Sequence, residues 1–300
     1  MVRDRDGVTK RKQVRARDEA AGEEHELSEE EAREVEEHTL LPAPFVYQIV
    51  RREGSRELQR PGAALWWSGF SAGVAIGLSV LLKAILQQGL PDADWRPLVA
   101  NLGYPAGFLV VILSRHQLFT ENTITAILPL MLERSLKCLL AVGRLWLTVA
   151  AANLVGATVF AAFWTYTGAA GAETTEAMRG MGRHIMENGW GPMFIKAVAA
   201  GYLMASLVWL LAGAEEAKFW AILLVSYIIA AAGLTHIVAG GVEVLMLVLD
   251  GEASVAEFVL RFGVPVFIGN VIGGTGMFSL VVYAQVRQEL RAGDKLGREA

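Results

Sequence analysis

Residues 114–123 read Ser114-Arg115-His116-Gln117-Leu118-Phe119-Thr120-Glu121-Asn122-Thr123, a polar interruption in an otherwise apolar run over 97–132. A second interruption, Gly233-Leu234-Thr235-His236 with Gly240 and Gly241 just beyond, divides the apolar run over 219–249. A helix needs about 20 apolar residues to cross a bilayer, and both runs exceed that. Inside hydrocarbon, non-helical backbone is tolerated only where it is buried in protein or lines a cavity, because its N–H and C=O groups find no water there. Each break is therefore a candidate pore element.

Four more apolar regions, over 62–88, 138–167, 191–213 and 257–286, surround these two. The third of the six contains Asn153-Leu154-Val155-Gly156, and the sixth contains Asn270-Val271-Ile272-Gly273-Gly274, 117 residues later. Thr120 and Thr235, one at each break, are separated by 115. Each half thus reads as an intact helix, a broken helix and an Asn-x-x-Gly helix. Three crossings per half place the second half upside down relative to the first. The predicted fold is an all-α integral membrane protein of six transmembrane helices in an inverted 3+3 repeat, broken at helices 2 and 5, with permeation at the repeat interface. Lys and Arg set its orientation. With the N-terminus cytoplasmic, twelve fall on the inner side between Arg51 and Arg298, while only Arg96, Arg179 and Arg183 lie outside, with Arg261 at the border. Both termini are predicted to be cytoplasmic.

Composition divides the chain differently. Of its 58 charged residues, 27 fall in the first 60, which predicts a charged tail over 1–60, a channel domain over 61–287 and a short cytoplasmic tail over 288–300. Ser28 followed by Glu29, Glu30 and Glu31 fits a capping box and predicts a short exposed helix through about His38. The rest of the tail has too few apolar residues for a core. No apolar stretch near Met1 resembles a cleaved signal peptide. The single cysteine, Cys138, allows no intrachain disulfide or thiolate cluster, and a net charge of -4 gives no reason to expect a nucleic-acid partner.

The two breaks, the paired Asn-x-x-Gly helices and a lone histidine at the second break resemble the formate/nitrite transporter family. Leu118-Phe119-Thr120, Asn153 to Gly156, His236 and the run from Pro265 through Asn270 to Gly274 carry the resemblance. It covers about residues 60–287 and implies an aquaporin-like fold, five protomers in a ring and one pore in each. It also implies passage of small monovalent anions such as formate, nitrite or hydrosulfide across the bacterial inner membrane, sometimes with a proton, and no cofactor or metal. By position, Thr120 is the loop ligand and His236 the central pore histidine. Tyr104 and Phe108 fall where the family builds one apolar constriction, and Ile229 falls at the other. The sequence also departs from the family. Arg115-His116-Gln117 replaces Gly-x-acidic before Leu-Phe-Thr, Thr235 replaces an acidic residue, and Gly240 replaces an Asn. Ala200-Gly201-Tyr202 stands in a fourth-helix segment that usually carries Asn. Together these mark a divergent branch.

The residues themselves suggest the chemistry. His236 is the one histidine deep in an apolar segment, where it can meet an anion and exchange a proton with it, or else serve as a structural group bonded to a nearby carbonyl. The Thr120 hydroxyl can donate to an anion or to His236, or cap a helix end. Asn153 and Asn270 are expected to tie down the broken backbone, and Gly156, Gly273 and Gly274 to permit close helix contact. Arg115 either draws anions into a vestibule or pairs with Glu121 or Glu243. Lys83 and Lys196 are expected to snorkel to the membrane surface. Three other readings compete. A water- or glycerol-type channel usually carries Asn-Pro-Ala at both half-helix starts, and this chain contains no Asn-Pro. An intramembrane enzyme would need a second base, a nucleophile or a metal cluster beside the buried histidine. A membrane scaffold would act through its tail.

Overall fold

The computed structural model describes residues 15–17, 24–26, 41–214 and 216–299, with side chains through residue 289. The helix expected after Ser28 lies outside the described residues. Within residues 1–41, which form a separate unit, β1 (Arg15–Arg17) pairs antiparallel with β2 (Glu24–Glu26), Ala16 opposite His25.

The body begins at Pro42. It opens with α1 (Ala43–Gln59) and α2 (Gly62–Gly89), each preceded by a proline whose fixed φ suits a helix start. Next come α3 (Arg96–Ala100), a tight turn over Asn101–Gly103, and α4 (Pro105–Leu113). Beyond the first break lie α5 (Asn122–Thr125) and α6 (Ile127–Glu133). In α7 (Leu136–Thr167), Ser135 Oγ accepts from the Cys138 N–H at 3.1 Å, and Gly168 at φ 65° stops the helix. After α8 (Ala172–Met186) and α9 (Trp190–Gly213), α10 (Lys218–Ala231) and α11 (Ala239–Asp250) flank the second break. The chain closes with α12 (Val255–Glu257), α13 (Val264–Val271) and α14 (Leu280–Glu299), joined by wide helical turns over Phe258–Gly263 and Ile272–Ser279.

Among the described residues, five stretches are long and apolar enough to cross a membrane: Gly62–Gly89, Arg96–Leu113, Leu136–Thr167, Trp190–Gly213 and Val255–Glu289. Lys218–Ala231 is apolar but shorter, because the second break cuts the fifth expected region in two. Large apolar side chains such as Leu147, Ile195, Trp220 and Val281 are exposed on these stretches, a surface suited to lipid rather than water.

Two helix crossings set the frame. Where α2 meets α7, a Cβ on Gly73 would strike the Asn153 carbonyl, and one on Gly156 would strike that of Phe70. Where α9 meets α13 and the turn after it, Gly201 lies against the Asn270 carbonyl and Gly273 against that of Val198. Glycine at these four places brings backbone against backbone, so each asparagine is delivered to a fixed depth. Gly274 packs just as closely on the Thr123 side chain.

α1 revises the expected tail boundary at residue 60. Val46, Tyr47 and Val50 are buried, and Gly54 is seated against the Thr125 carbonyl. Apolar residues spaced by three or four among charges form a stripe that a regional charge count does not detect.

Candidate pore site between the two helix breaks

Both half-helices that lead into a break end in the same way. After α4, Arg115 adopts φ 56°, the Arg115 N–H donates to Ile112 O at 3.1 Å, and the His116 N–H donates to Val111 O at 2.9 Å. After α10, Gly233 adopts φ 60°, with bonds from the Gly233 N–H to Ala230 O at 3.1 Å and from the Leu234 N–H to Ile229 O at 2.9 Å. This is the Schellman stop, a left-handed residue folding the chain back over its last carbonyls.

Each returning strand of backbone is then held by one asparagine. Asn153 Oδ1 accepts from the Phe119 N–H at 2.9 Å, while its amide donates to Gln117 O and Gly69 O, both at 2.8 Å. Asn270 Oδ1 accepts from the Ile237 N–H at 3.0 Å, while its amide donates to Thr235 O at 3.1 Å and Ala197 O at 2.8 Å. Both side chains are fully buried, and backbone freed from helical bonding is satisfied by them without water. These bonds pair Gln117 with Thr235 and Phe119 with Ile237. The counterpart of Thr120 is therefore Val238 and not Thr235, and Leu118 stands where the other half has its histidine.

At the centre, Thr120 Oγ1 and His236 Nε2 lie 2.8 Å apart, both buried. Nδ1 of the same ring accepts from the Val238 and Ala239 N–H groups, each at 3.3 Å. Backbone amides can only donate, so in the neutral ring the hydrogen sits on Nε2 and is donated to Thr120. The imidazole thereby satisfies donors at the start of α11 that would otherwise be unpartnered. The proton exchange expected of His236 would have to break both amide contacts, because the second proton must go on Nδ1.

Aromatic residues enclose the pair. Phe108 meets the His236 ring edge-on at 5.2 Å, and Tyr104 lies 5.3 Å from Phe108. Phe119 stacks on Phe267 at 4.7 Å and meets Trp146 edge-on at 6.2 Å. Leu118 and Ile229 are buried in the same apolar core. The structure thus brings Tyr104, Phe108, Thr120 and His236 into one row.

A cavity of about 390 Å³ reaches His236 from one side, and Lys83, Tyr104, Lys196, Thr235 and Glu243 help to line it. Lys83 and Lys196, expected at the membrane surface, instead face this space, and Lys196 Nζ donates to Asn188 Oδ1 at 2.8 Å. Arg115 is exposed, stands outside this lining and forms no ion pair with Glu121 or Glu243. Its distinguishing feature is backbone conformation. A further network was missed at the first break. The Gln117 N–H donates to Ser68 Oγ at 3.0 Å, Gln117 Nε2 to Glu57 Oε2 at 2.9 Å, and Asn122 Nδ2 to Gln117 Oε1 at 3.0 Å. These ties join residues 49 and 60 positions apart, and no local periodicity announces them.

Opposite the first break's docking helix α1, α8 lies across α11. Arg183 donates to Glu252 through Nε at 2.6 Å and Nη2 at 2.7 Å, and to Glu176 through Nη1 at 2.6 Å. Hydrogen bonding from Arg183 holds both carboxyls below the usual carboxylate range, and the same bonds push the guanidinium higher.

Broken apolar helices tied by buried asparagines around a histidine and a threonine define a multi-pass membrane protein with a buried polar centre. Residues 44–284 match the sequence profile described as formate/nitrite transporter, and the chain belongs to that family. It is 38% identical over 248 residues to the inner membrane protein YfdC of Escherichia coli (strain K12), spanning 83% of this chain and 80% of that relative. It is 26% identical over 246 residues to the formate channel BtFdhC of Bacillus thuringiensis, spanning 80% of this chain and 93% of that one. In fold it is similar to a solved pentameric formate channel with formate bound, with a TM-score of 0.63 at 18% identity over 74% of this chain and 98% of the channel. A solved FNT family ion channel gives a TM-score of 0.64 at 21% identity, over 81% of this chain and 96% of that structure.

Proposed function

We propose that the chain is a channel or secondary transporter for small monovalent anions of weak acids, formate and nitrite among them, conducting between the two breaks. The observation that carries this reading is the bond from His236 to Thr120. Because Nε2–H occupies the Thr120 oxygen, the threonine's own hydroxyl hydrogen is free to be donated to a passing anion. Neutral donors walled by Tyr104, Phe108, Leu118 and Ile229 favour a small monoanion that sheds water cheaply over a dianion or a strongly hydrated cation.

Family membership and the formate channels among the relatives support an anion as the cargo. The matched asparagine braces and glycine crossings support an inverted repeat of three plus three helices, aquaporin-like in arrangement. The pentameric neighbour supports a homopentamer. The charge distribution supports both termini on the cytoplasmic side of the inner membrane, with the cavity opening outward. Asn153, Asn270, Gly156, Gly273 and Gly274 serve as structural supports in this reading, and no cofactor takes part.

Flux into proteoliposomes of the full chain tests it, with formate, nitrite, hydrosulfide and glycerol compared. Thr120→Val is expected to lower anion flux about ten-fold or more, since a hydrogen bond to a charged group is worth about 1.5–3 kcal/mol. Ready passage of glycerol with no anion flux would overturn the reading.

A further inference from the structure

Among the described residues, Glu243 is the only Asp or Glu buried to 5% exposure, and no hydrogen bond or ion pair holds its carboxylate. It lies in α11, the helix that leaves the second break, and it lines the same cavity as His236. Gly182 explains how it is enclosed. A Cβ there would strike the Glu243 carbonyl, so only glycine lets α8 close over this turn.

The groups facing Glu243 are mostly cationic. Lys83 of α2 and Lys196 of α9 line the cavity, together with Tyr104, with Arg96 of α3, which is paired with Asp92, and with His184 of α8, which is paired with Glu187. The remaining charges nearby are engaged elsewhere. Arg179 and Arg183 are paired with Glu176, Asp250 and Glu252, and Arg261 with Glu257 and the Met186 carbonyl. His236 has both nitrogens occupied. The free acid in this space is therefore the carboxyl of Glu243.

We infer that Glu243 sets the pH response of anion access to the pore, an inference that rests on the anion-channel reading. Ionised, it offsets the cationic wall and repels an approaching anion. Protonated, it leaves Lys83 and Lys196 unopposed, and the anion collects above Thr120. Anion flux therefore rises as pH falls, and the imidazole does not need to titrate for this to happen.

The test is formate flux at fixed concentration from about pH 5 to about pH 8 in proteoliposomes of the full chain, after subtraction of protein-free vesicles. Wild type is expected to speed up as pH falls. Glu243→Gln is expected to be flat and roughly ten-fold faster at the alkaline end, the effect of one unit charge about 10 Å away at an effective dielectric of about 20. Glu243→Asp and His236→Asn should keep a pH slope. Should Glu243→Gln fail to assemble, Lys83→Gln serves instead, and its response should move to higher pH. A wild-type slope retained in Glu243→Gln, a slope abolished by His236→Asn, or a wild type with no slope overturns the inference. If wild type carries no anion at all, the channel reading fails, and Glu243 is judged by infrared pH-difference spectra. A protonated-carboxyl band that titrates and is missing in Glu243→Gln upholds the titration, and the absence of such a band overturns it.

Discussion

The two breaks use one construction with different fittings. Each stops its incoming half-helix on a left-handed residue and pins the returning chain with a buried asparagine. At the first break the left-handed residue is Arg115, and the loop is tied through Gln117 to Ser68 and to Glu57 of α1. At the second it is Gly233, and the ring of His236 satisfies the backbone of the outgoing half-helix from within. Thr120 and His236 are not counterparts, since the braces pair Thr120 with Val238. The polar centre therefore joins positions of the two breaks that do not correspond. In the proposed reading, the equal scaffolding of the asparagines serves the fold and the unequal contents, Thr120 and His236, serve the cargo.

The largest effect should come from breaking what the two halves share. Asn153→Ala and Asn270→Ala each remove three hydrogen bonds and strand a buried N–H and two carbonyls, at about 1–3 kcal/mol per group. Each is expected to cost about 3 kcal/mol or more, lowering the melting temperature of the detergent-solubilised protein by roughly 10 °C. If one variant melts normally while the other collapses, the halves are not held alike.

A smaller effect should expose what differs. A side chain in the left-handed region costs roughly 1–2 kcal/mol, and Arg115 bears this cost at φ 56° whereas Gly233 at φ 60° does not. Gly233→Arg should lose about 1 kcal/mol. Arg115→Gly should gain somewhat less than about 1 kcal/mol, because glycine also frees the unfolded chain. Chemical denaturation of the purified protein reads both. A loss on Arg115→Gly would mean that the guanidinium makes a contact outside the protomer.

These same residues show how much of the molecule was legible beforehand. The breaks, the spans and the asparagine braces could be read because a bilayer penalises every unsatisfied backbone group, so a polar residue in an apolar run must have a reason. Spacing alone aligned Thr120 with Thr235, three residues away from the pairing that the hydrogen bonds establish, because spacing does not record which carbonyl an amide reaches. Docking of α1, the outward position of Arg115 and the cavity-facing Lys83 and Lys196 all depend on contacts between distant segments. Glu243 was visible as a charge near a break, but its enclosure depends on Gly182, sixty-one positions earlier in a connecting helix.

The smallest effect concerns the helices that cover each break, α1 at the first and α8 at the second. The α8 cover is fastened by Arg183 to Glu252, while Glu176 of the same helix also binds the guanidinium, and both carboxyls are held below the ordinary value of 4.5. A carboxyl with a lowered folded-state value adds stability above the unfolded value and loses it as pH falls through the folded one. The fastening is therefore intact at neutral pH and fails only below about pH 4.5. Exposed pairs of this kind contribute little, and salt weakens them further. Arg183→Gln should lower the melting temperature slightly at neutral pH and leave it nearly unchanged in acid, where wild type has already lost the pairs. The cover over the first break predicts the opposite control, since Arg183→Gln should leave cleavage of α1 by added protease unchanged. A variant that loosened α1 as well would show that the two covers are coupled through the body, and the breaks could then no longer be treated as independent.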